Sequence, residues 1–147
     1  MIGEVCCREV VIAKRDEPLI FAARLMRQYH VGDVVVVEER DGKCIPIGIL
    51  TDRDMVVKVL AQGLDPHHLA IADVMSVGVE TIGETEEIFS AAERMRALGI
   101  RRLPVVDKAG ALVGILAMED VIDLLAEELR DLAAVSVRER RRETFQV

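Results

Sequence analysis

The sequence predicts an α/β (α+β) fold in which two pseudo-symmetric βαββα repeats pack side by side. The chain matches itself when it is shifted by 69 residues, so that Val36-Val37 falls on Val105-Val106. Beyond Asp41 the offset falls to 66, because the first copy has three extra residues in a turn. A match kept on both sides of one turn insertion indicates an internal repeat. Each copy also alternates short apolar stretches with apolar residues at helical spacing, which is typical of mixed strands and helices.

Each repeat is predicted to begin with a short apolar strand and a helix. The first strands are placed at Val10–Ile12 and Val79–Ile82. Asp16 and Thr85 are candidate N-caps of the following helices, because short polar side chains accept hydrogen bonds from the first helical amides. A glycine or another residue that tolerates a left-handed backbone ends many helices. The expected helix ends are His30 or Gly32 in the first copy and Gly99 in the second.

The second half of each repeat is predicted to be a β-hairpin followed by a closing helix. Asp-Gly and Ala-Gly junctions between β-rich runs are hairpin signals. The continuous apolar character of the strands predicts burial on both faces. The predicted strands are Val34–Val37, Ile45–Leu50, Leu103–Val106 and Leu112–Leu116. The closing helices are predicted at Asp52–Leu60 and from Glu119 to Leu132 or beyond.

The repeat also predicts the domain organisation. Residues 1–62 form the first repeat, 63–70 a linker, 71–132 the second repeat, and 133–147 a helical, basic C-terminal tail. The tail includes the arginine-rich run Arg138–Glu143. Two interpretations of this run are open: a solvated helix end, or a handle for a partner protein or nucleic acid. Its interleaved glutamates weaken the nucleic-acid version.

Composition narrows the class of protein. The net charge of −7 argues against a duplex nucleic-acid partner. No apolar run approaches the roughly 20 residues that span a bilayer, and the N-terminus does not resemble a signal peptide, so we expect a cytoplasmic location and no membrane partner. Cys6, Cys7 and Cys44 lack metal-ligand spacing, so no metal is expected. The Cys6-Cys7 pair is interpreted as packing residues.

The segment Gly48–Asp54 lies where a strand turns into a helix, and it is the motif that suggests binding chemistry. Glycine lets another group approach the backbone closely. Thr51 can cap the helix, whose first amides can face an anion. Asp54 can accept two hydrogen bonds from a vicinal diol. This combination suits a ribose with an attached phosphate, and the alternative is a capped helix with solvated acids.

These residues resemble the cystathionine-β-synthase (CBS) domain family, whose tandem pair is called a Bateman module. The family pattern is Gly, hydrophobic, any, Thr or Ser, any, any, Asp at the second strand–helix junction, and the first copy matches every position. The second copy keeps Gly114 and Asp120 but has Ala117 in place of the hydroxyl. Its Leu103–Asp107 segment resembles the family's strand ending in hydrophobic-Pro-Val-hydrophobic-Asp, where the first copy has Val35 at the proline position.

The resemblance implies a flat disc with two clefts between the copies, which bind AMP, ADP, ATP or S-adenosylmethionine. In the first cleft, Asp54 would hold the ribose hydroxyls and Thr51 would meet the α-phosphate. Arg101 and Arg102 would neutralise phosphate charge. The alternative interpretation is that both side chains are simply exposed to solvent beside a strand. The nucleotide-binding residues implied there are Ile49, Leu50, Thr51, Arg53, Asp54, Val79, Arg101 and Arg102.

The second cleft implied by the resemblance is less suited to a phosphate. It would combine Val10, Gly32, Asp33, Ile115, Leu116, Ala117 and Asp120. It lacks the hydroxyl and both arginines, and it carries an extra acid at Asp33, which would repel a phosphate. We expect this cleft to be empty, weak or suited to a less anionic ligand such as S-adenosylmethionine.

The function hypothesis is therefore a regulatory, signalling module that binds an adenine nucleotide and acts on an unknown downstream protein. Nothing resembles a nucleophile with its base, so no enzyme activity, catalytic residue or cofactor is expected. The family resemblance also implies a homodimer formed through the long helices. The alternatives are a protein-interaction or dimerisation module with vestigial clefts, an S-adenosylmethionine binder, and a redox enzyme that uses Cys6-Cys7.

Overall fold

The computed structural model describes residues 1–145, with side chains through residue 142. Residues 146–147 of the expected tail lie outside the described residues. The α-helices are α1 (Ile2–Val5), α2 (Leu19–Tyr29), α3 (Asp52–Asp54), α4 (Ile88–Leu98) and α5 (Met118–Phe145). A π-helix (Met55–Leu60) continues α3, and 3-10 turns lie at Pro66–His68 and Ile71–Asp73. The strands are β1 (Ile12–Lys14), β2 (Asp33–Arg40), β3 (Lys43–Thr51), β4 (Ser76–Val77), β5 (Ile82–Gly83), β6 (Arg102–Val106) and β7 (Leu112–Ala117).

The strands form two sheets, which confirms the predicted α/β fold with two similar halves. One sheet has the order β1-β2-β3-β4 and the other β5-β6-β7. The first pair in each sheet, β1 with β2 and β5 with β6, is parallel, and the hairpin that follows is antiparallel. A register shift falls between Val36 and Val37 in one hairpin and between Val105 and Val106 in the other. These positions are equivalent in the repeat, so the two hairpins share even this irregularity in strand pairing.

The core is aliphatic and divides into two clusters, one beneath each sheet. The four residues Val34–Val37 of β2 are all buried, as are Leu103–Val105 of β6. Helices on one face and neighbouring segments on the other remove these two strands from water, so burial on both faces is confirmed for β2 and β6. It is not confirmed for β3 and β7, in which buried and partly exposed residues alternate. Burial of apolar area of this kind is the main favourable term in folding.

The leading segments of the two repeats are exchanged between the cores. Ile2 and Cys6 pack in the cluster of the second repeat, whereas Ile71 and Val74 pack in the cluster of the first. The Ile2 amide donates to the carbonyl of Glu86 (3.0 Å), and the Ile71 amide donates to the carbonyl of Glu17 (2.9 Å). The residues that share one hydrophobic core are therefore not the residues of one sequence repeat. Each core contains the leading segment of the other repeat, so it depends on both halves of the chain.

The starts of α2 and α4 differ from the prediction. Both helices begin three residues after the expected caps Asp16 and Thr85, and neither has a side-chain cap. Glutamates shape the preceding turns instead: Glu17 accepts from the amide of Lys14 (2.7 Å), and Glu86 accepts from the amide of Gly83 (2.9 Å). Because these tight turns use the residues between strand and helix, each helix starts later.

The predicted helix ends agree with the structure, whereas the predicted first strands begin too early. The first strands begin at Ile12 and Ile82, so most of each predicted stretch lies before the strand. Helices α2 and α4 end at His30 (φ 54°) and Gly99 (φ 65°), both left-handed, as predicted. The 28 residues of α5 form one helix. Within the described residues, neither α5 nor any other helix is long and apolar enough to cross a membrane.

Candidate functional site

A cavity of about 840 Å³ lies between the two repeats. The end of β3 and the start of α3 form one side, and the segment between β4 and β5 together with the start of β6 forms the other. Ile49 and Val79 give it apolar walls, while Thr51, Asp54 and arginines give it polar ones. A space of this size, with apolar walls and a few polar groups, is typical of a small-molecule site.

The structure places most of the predicted first-cleft residues around this cavity. The residues that line it are Ile49, Thr51, Arg53, Asp54, Val79, Arg101 and Arg102. Leu50 is the exception and requires a correction, because it is fully buried in the first hydrophobic cluster. Successive side chains of a strand point to opposite faces, so Ile49 and Thr51 face the cavity while Leu50 faces the core.

Two residues predicted for the second cleft lie in this same cavity. Gly32 and Asp33 are among its lining residues, because β2 begins at Asp33 directly opposite Thr51 of β3. Their assignment to the second cleft is therefore corrected. The remaining residues assigned to that cleft lie outside this cavity: Val10, Ile115, Leu116, Ala117 and Asp120. Leu116 is fully buried in the second hydrophobic cluster.

Thr51 and Asp54 form a reciprocal cap at the start of α3. The Asp54 amide donates to Thr51 Oγ1 (3.0 Å), and Asp54 Oδ2 accepts from the Thr51 amide (3.0 Å) and hydroxyl (2.9 Å). Lys58 Nζ lies 2.8 Å from Asp54 Oδ1. Burial alone would raise the pKa of Asp54, but the hydrogen bonds from Lys58 and Thr51 outweigh it and hold the pKa below its ordinary value. A carboxylate has about four acceptor positions, so a ribose diol would compete with Lys58 for Asp54.

The first amides of α3 are already bonded within the protein. The Asp52 amide donates to the Gly32 carbonyl (2.9 Å), the Arg53 amide to the Asp52 carboxylate (2.7 Å), and the Asp54 amide to Thr51. The expectation that this helix end presents free amides to an anion is therefore wrong. At this end of the helix, side chains must therefore supply the contacts to an anion.

Gly48 of the motif is required by the fold. A Cβ at this position would lie 2.7 Å from the carbonyl oxygen of Ser76 in β4. At the equivalent Gly114, a Cβ would lie 2.7 Å from Cys6 Sγ and 3.0 Å from the Cys7 carbonyl oxygen. The prediction that glycine permits a close approach is confirmed, and the approaching group is the exchanged leading segment of the other repeat.

Carboxylates already pair with both arginines of the second repeat. Arg102 forms an ion pair with Asp33 through Nε and Oδ2. Arg101 pairs with Glu119 in the first turn of α5, and the other oxygen of Glu119 lies 3.8 Å from Arg102 Nη1. Arg53 makes no ion pair within the part of the chain that the structure describes. Arg53 is therefore the guanidinium of the cavity lining that no described carboxylate neutralises.

The two pairing carboxylates have pKa values that move in opposite directions. Burial raises the pKa of Asp33, Arg102 opposes that rise, and the neighbouring Asp52 and Glu119 carboxylates add to it. For Glu119, a hydrogen bond from its own backbone and another from Arg101 lower the pKa. Glu119 is thus charged at neutral pH and competes with any anion for the arginines.

Asp52, Glu80 and Glu119 line the cavity without having been predicted there. The sequence contained a signal for part of this arrangement. Glu119 lies 66 residues after Arg53, and Arg102 lies 69 residues after Asp33, so each pair occupies equivalent positions of the repeat. The pseudo-symmetry brings equivalent positions of the two repeats to their junction. Asp33 and Arg102 therefore form an ion pair there, and Arg53 and Glu119 line the same cavity.

The cysteines are free thiols in different surroundings. Cys6 is buried, whereas Cys7 and Cys44 are exposed. Burial raises the pKa of the Cys6 thiol, although Arg8 partly opposes the rise, which keeps it protonated and weakly nucleophilic. The packing role predicted for Cys6 is confirmed, but Cys7 does not share it. Among the described residues, no group of three or more His, Cys, Asp or Glu side chains is arranged to hold a metal ion.

Comparison with known proteins identifies the repeats. A family model described as the CBS domain matches residues 2–61 and again residues 71–127. An uncharacterised protein of Methanopyrus kandleri, MK0525, is 42% identical over 123 residues, which cover 84% of this chain and 61% of that protein. The chain therefore spans less than two thirds of that relative.

Two solved structures resemble this one over most of the chain. The CBS domain pair of protein MJ0100, in complex with 5′-methylthioadenosine and S-adenosyl-L-methionine, has a TM-score of 0.76 and 25% identity and covers 87% of this chain and 97% of its own. The CBS domain protein PAE2072 from Pyrobaculum aerophilum, complexed with AMP, has a TM-score of 0.73 and 28% identity and covers 81% of this chain and 88% of its own.

Proposed function

We propose that this chain, which belongs to the CBS-domain family and contains a tandem pair of CBS domains, is a regulatory module that binds an adenosine-containing ligand between its repeats. The observation that carries this proposal is the cavity of about 840 Å³, in which apolar, hydroxyl, carboxylate and guanidinium groups surround one space. The proposed ligand is an adenine nucleotide (AMP, ADP or ATP), and S-adenosylmethionine is the alternative. Binding, not catalysis, is the proposed activity.

Each part of such a ligand has a chemical counterpart in the cavity. Ile49 and Val79 supply apolar surface for a purine, on the two sides of the cavity. The Asp54 carboxylate supplies acceptors for ribose hydroxyls, and Arg53 supplies a positive charge for a phosphate. Thr51 precedes both groups in the chain, and its hydroxyl already donates to Asp54 within the cap, so it holds the Asp54 carboxylate in place. The contacts therefore suit an adenosine with an anionic group at its 5′ end.

The ligands of the related structures support the adenosine part of this proposal. 5′-Methylthioadenosine and S-adenosyl-L-methionine in the MJ0100 pair and AMP in PAE2072 all contain adenosine. They differ in the charge carried at the 5′ position. Because adenosine is the part that these ligands share, we propose that this chain binds the adenosine part of its ligand in the same way. We also propose that ligand binding is signalled to a downstream protein.

Calorimetric titration with AMP, ADP, ATP and S-adenosylmethionine tests the proposal. The test variant is Asp54→Asn, and the matched control is Asp120→Asn at the equivalent position of the second repeat, outside the cavity. We expect saturable binding of at least one compound to the wild type and to the control, and a loss of about tenfold or more in affinity in the test variant. Equal effects of the two substitutions, or no binding of any compound, would contradict the proposal.

We further propose that the chain forms a homodimer through α5. Ile122, Leu125, Leu129 and Leu132 follow one another at heptad spacing and are 52%, 41%, 66% and 66% exposed. This spacing is that of a helix-pairing seam. Between residues 119 and 131 α5 carries six acids and one arginine, whereas between 138 and 142 it carries four arginines and one glutamate. The opposite charges of its two halves fit an antiparallel second copy of the same helix.

Analytical ultracentrifugation tests this pairing. Leu129→Lys places a charge on the seam, and Val137→Lys places the same charge at an exposed position off the seam. We expect a wild-type dimer, a monomer for Leu129→Lys and a dimer for Val137→Lys. A monomeric wild type, or a Leu129→Lys variant that stays dimeric, would rule out α5 as the dimer contact.

A further inference from the structure

We infer that Glu119 and Asp33 restrict the cavity to adenosine ligands that carry no more than one phosphate. The inference rests on the proposed function, because it concerns the charge of the ligand that this same cavity takes. It departs from the simplest expectation for the paired arginines Arg101 and Arg102, which is that two adjacent guanidinium groups favour a polyphosphate.

The charges of the cavity favour a ligand of low negative charge. Its lining contains five carboxylates, those of Asp33, Asp52, Asp54, Glu80 and Glu119, and three guanidinium groups, those of Arg53, Arg101 and Arg102. Lys58, 2.8 Å from Asp54, balances one carboxylate. Arg94 Nη1, 4.0 Å from Glu80, balances a second one. The three remaining acids equal the three guanidinium groups in number, so the lining as a whole offers no excess positive charge to a polyphosphate.

The placement of the pairs also limits the number of phosphates. Arg53, which no described carboxylate pairs, can take a first phosphate. Further phosphates would have to reach Arg101 or Arg102, and both already contact Glu119. Arg102 is in addition tied to Asp33, whose side chain is only 13% exposed. A second phosphate would therefore have to displace a carboxylate or remain beside it.

Glu119 is the more displaceable of the two carboxylates. Its side chain is 46% exposed, and that of its partner Arg101 is 66% exposed. Exposed ion pairs contribute little free energy, because water screens them. Removing the charge of Glu119 is accordingly expected to release Arg101 for a phosphate while disturbing the fold little, whereas removing Asp33 would leave Arg102 without its largely buried partner.

Calorimetric titration with adenosine, AMP and ATP, without divalent cations, tests the inference. The variant is Glu119→Gln, and the control is Glu127→Gln, the same charge change on the same helix at an exposed position outside the cavity. For the wild type and the control we expect AMP to bind about tenfold or more tightly than ATP. In Glu119→Gln we expect ATP affinity to rise about three- to tenfold, AMP affinity to rise less, and adenosine affinity to stay unchanged.

The outcomes separate the two proposals. If adenosine and AMP bind but ATP binds equally or more tightly to the wild type, or if Glu119→Gln leaves the AMP-to-ATP ratio unchanged, the charge restriction is refuted and the adenosine site stands. If none of the three compounds binds at millimolar concentration, the adenosine site itself is refuted, and the restriction falls with it.

Discussion

Leu50→Ala should mainly lower the stability of the protein, whereas Ile49→Ala should mainly weaken ligand binding. Leu50 is fully buried, and its change to alanine removes three carbon atoms, whose transfer to water costs about 2.4 kcal/mol at roughly 0.8 kcal/mol per carbon. The cavity left behind adds to this, for a total of about 3 kcal/mol. At about 2–4 °C per kcal/mol, the melting temperature should fall by roughly 6–12 °C. Ile49 is partly exposed to the cavity, so Ile49→Ala should cost only about 1 kcal/mol.

Urea denaturation followed by circular dichroism measures the stability of both variants, and calorimetry with AMP measures binding. Below the melting temperature, Leu50→Ala should bind AMP within about threefold of the wild type, whereas Ile49→Ala should lose about tenfold because it removes a cavity wall. Equal losses of stability in the two variants, or weaker AMP binding in Leu50→Ala than in Ile49→Ala, would refute the assignment of Leu50 to the core and Ile49 to the cavity.

Three further predictions concern the motif and its cap. Gly48→Ala should cost about 1–3 kcal/mol of unfolding free energy, because the new Cβ would lie 2.7 Å from the Ser76 carbonyl oxygen; a thermal melt within 1 °C of the wild type would contradict this. Thr51→Ala should cost about 1 kcal/mol by urea denaturation, since it removes one half of the cap; an unchanged midpoint would count against the cap. The lowered pKa of Asp54 means that its ionised form stabilises the fold, fully above the ordinary value of 3.8 and less as pH falls through the lower folded value. Asp54→Asn should therefore weaken the pH dependence of stability between the ordinary value of 3.8 and the lower folded value, and an unaltered acid limb would argue against the Lys58 and Thr51 contacts.

The sequence predicted the repeated α/β fold because the evidence for it is distributed along the whole chain. An offset of 69 that holds from Ile2 to Val37, followed by one of 66 that holds from Gly48 to Asp54, survives small errors at any boundary. The exchange of the leading segments could not be predicted in the same way. Ile2 and Ile71 occupy equivalent positions of the repeat, so the pattern of apolar residues fits either core, and only the path of the chain decides which one each enters.

The site was predicted in part, for a related reason. Thr51 and Asp54 were found because their residue types and spacing define a cap and a diol acceptor, whatever surrounds them. Ile49 and Leu50 could not be told apart, because a strand that is apolar throughout gives no alternation to mark its two faces. The ion pair of Asp33 with Arg102 joins the two repeats, and a linear pattern does not display contacts between halves that are far apart in sequence.

If an adenosine ligand occupies the cavity between the repeats, its binding should change the amide chemical shifts of the lining residues in nuclear magnetic resonance spectra. A titration of ¹⁵N-labelled protein with AMP should shift the amides of Arg53, Val79 and Arg101 in a saturable way and leave those of Ile115 and Asp120 in place. Saturable shifts confined to Ile115 and Asp120, or no shifts at millimolar AMP, would show that AMP does not bind in this cavity.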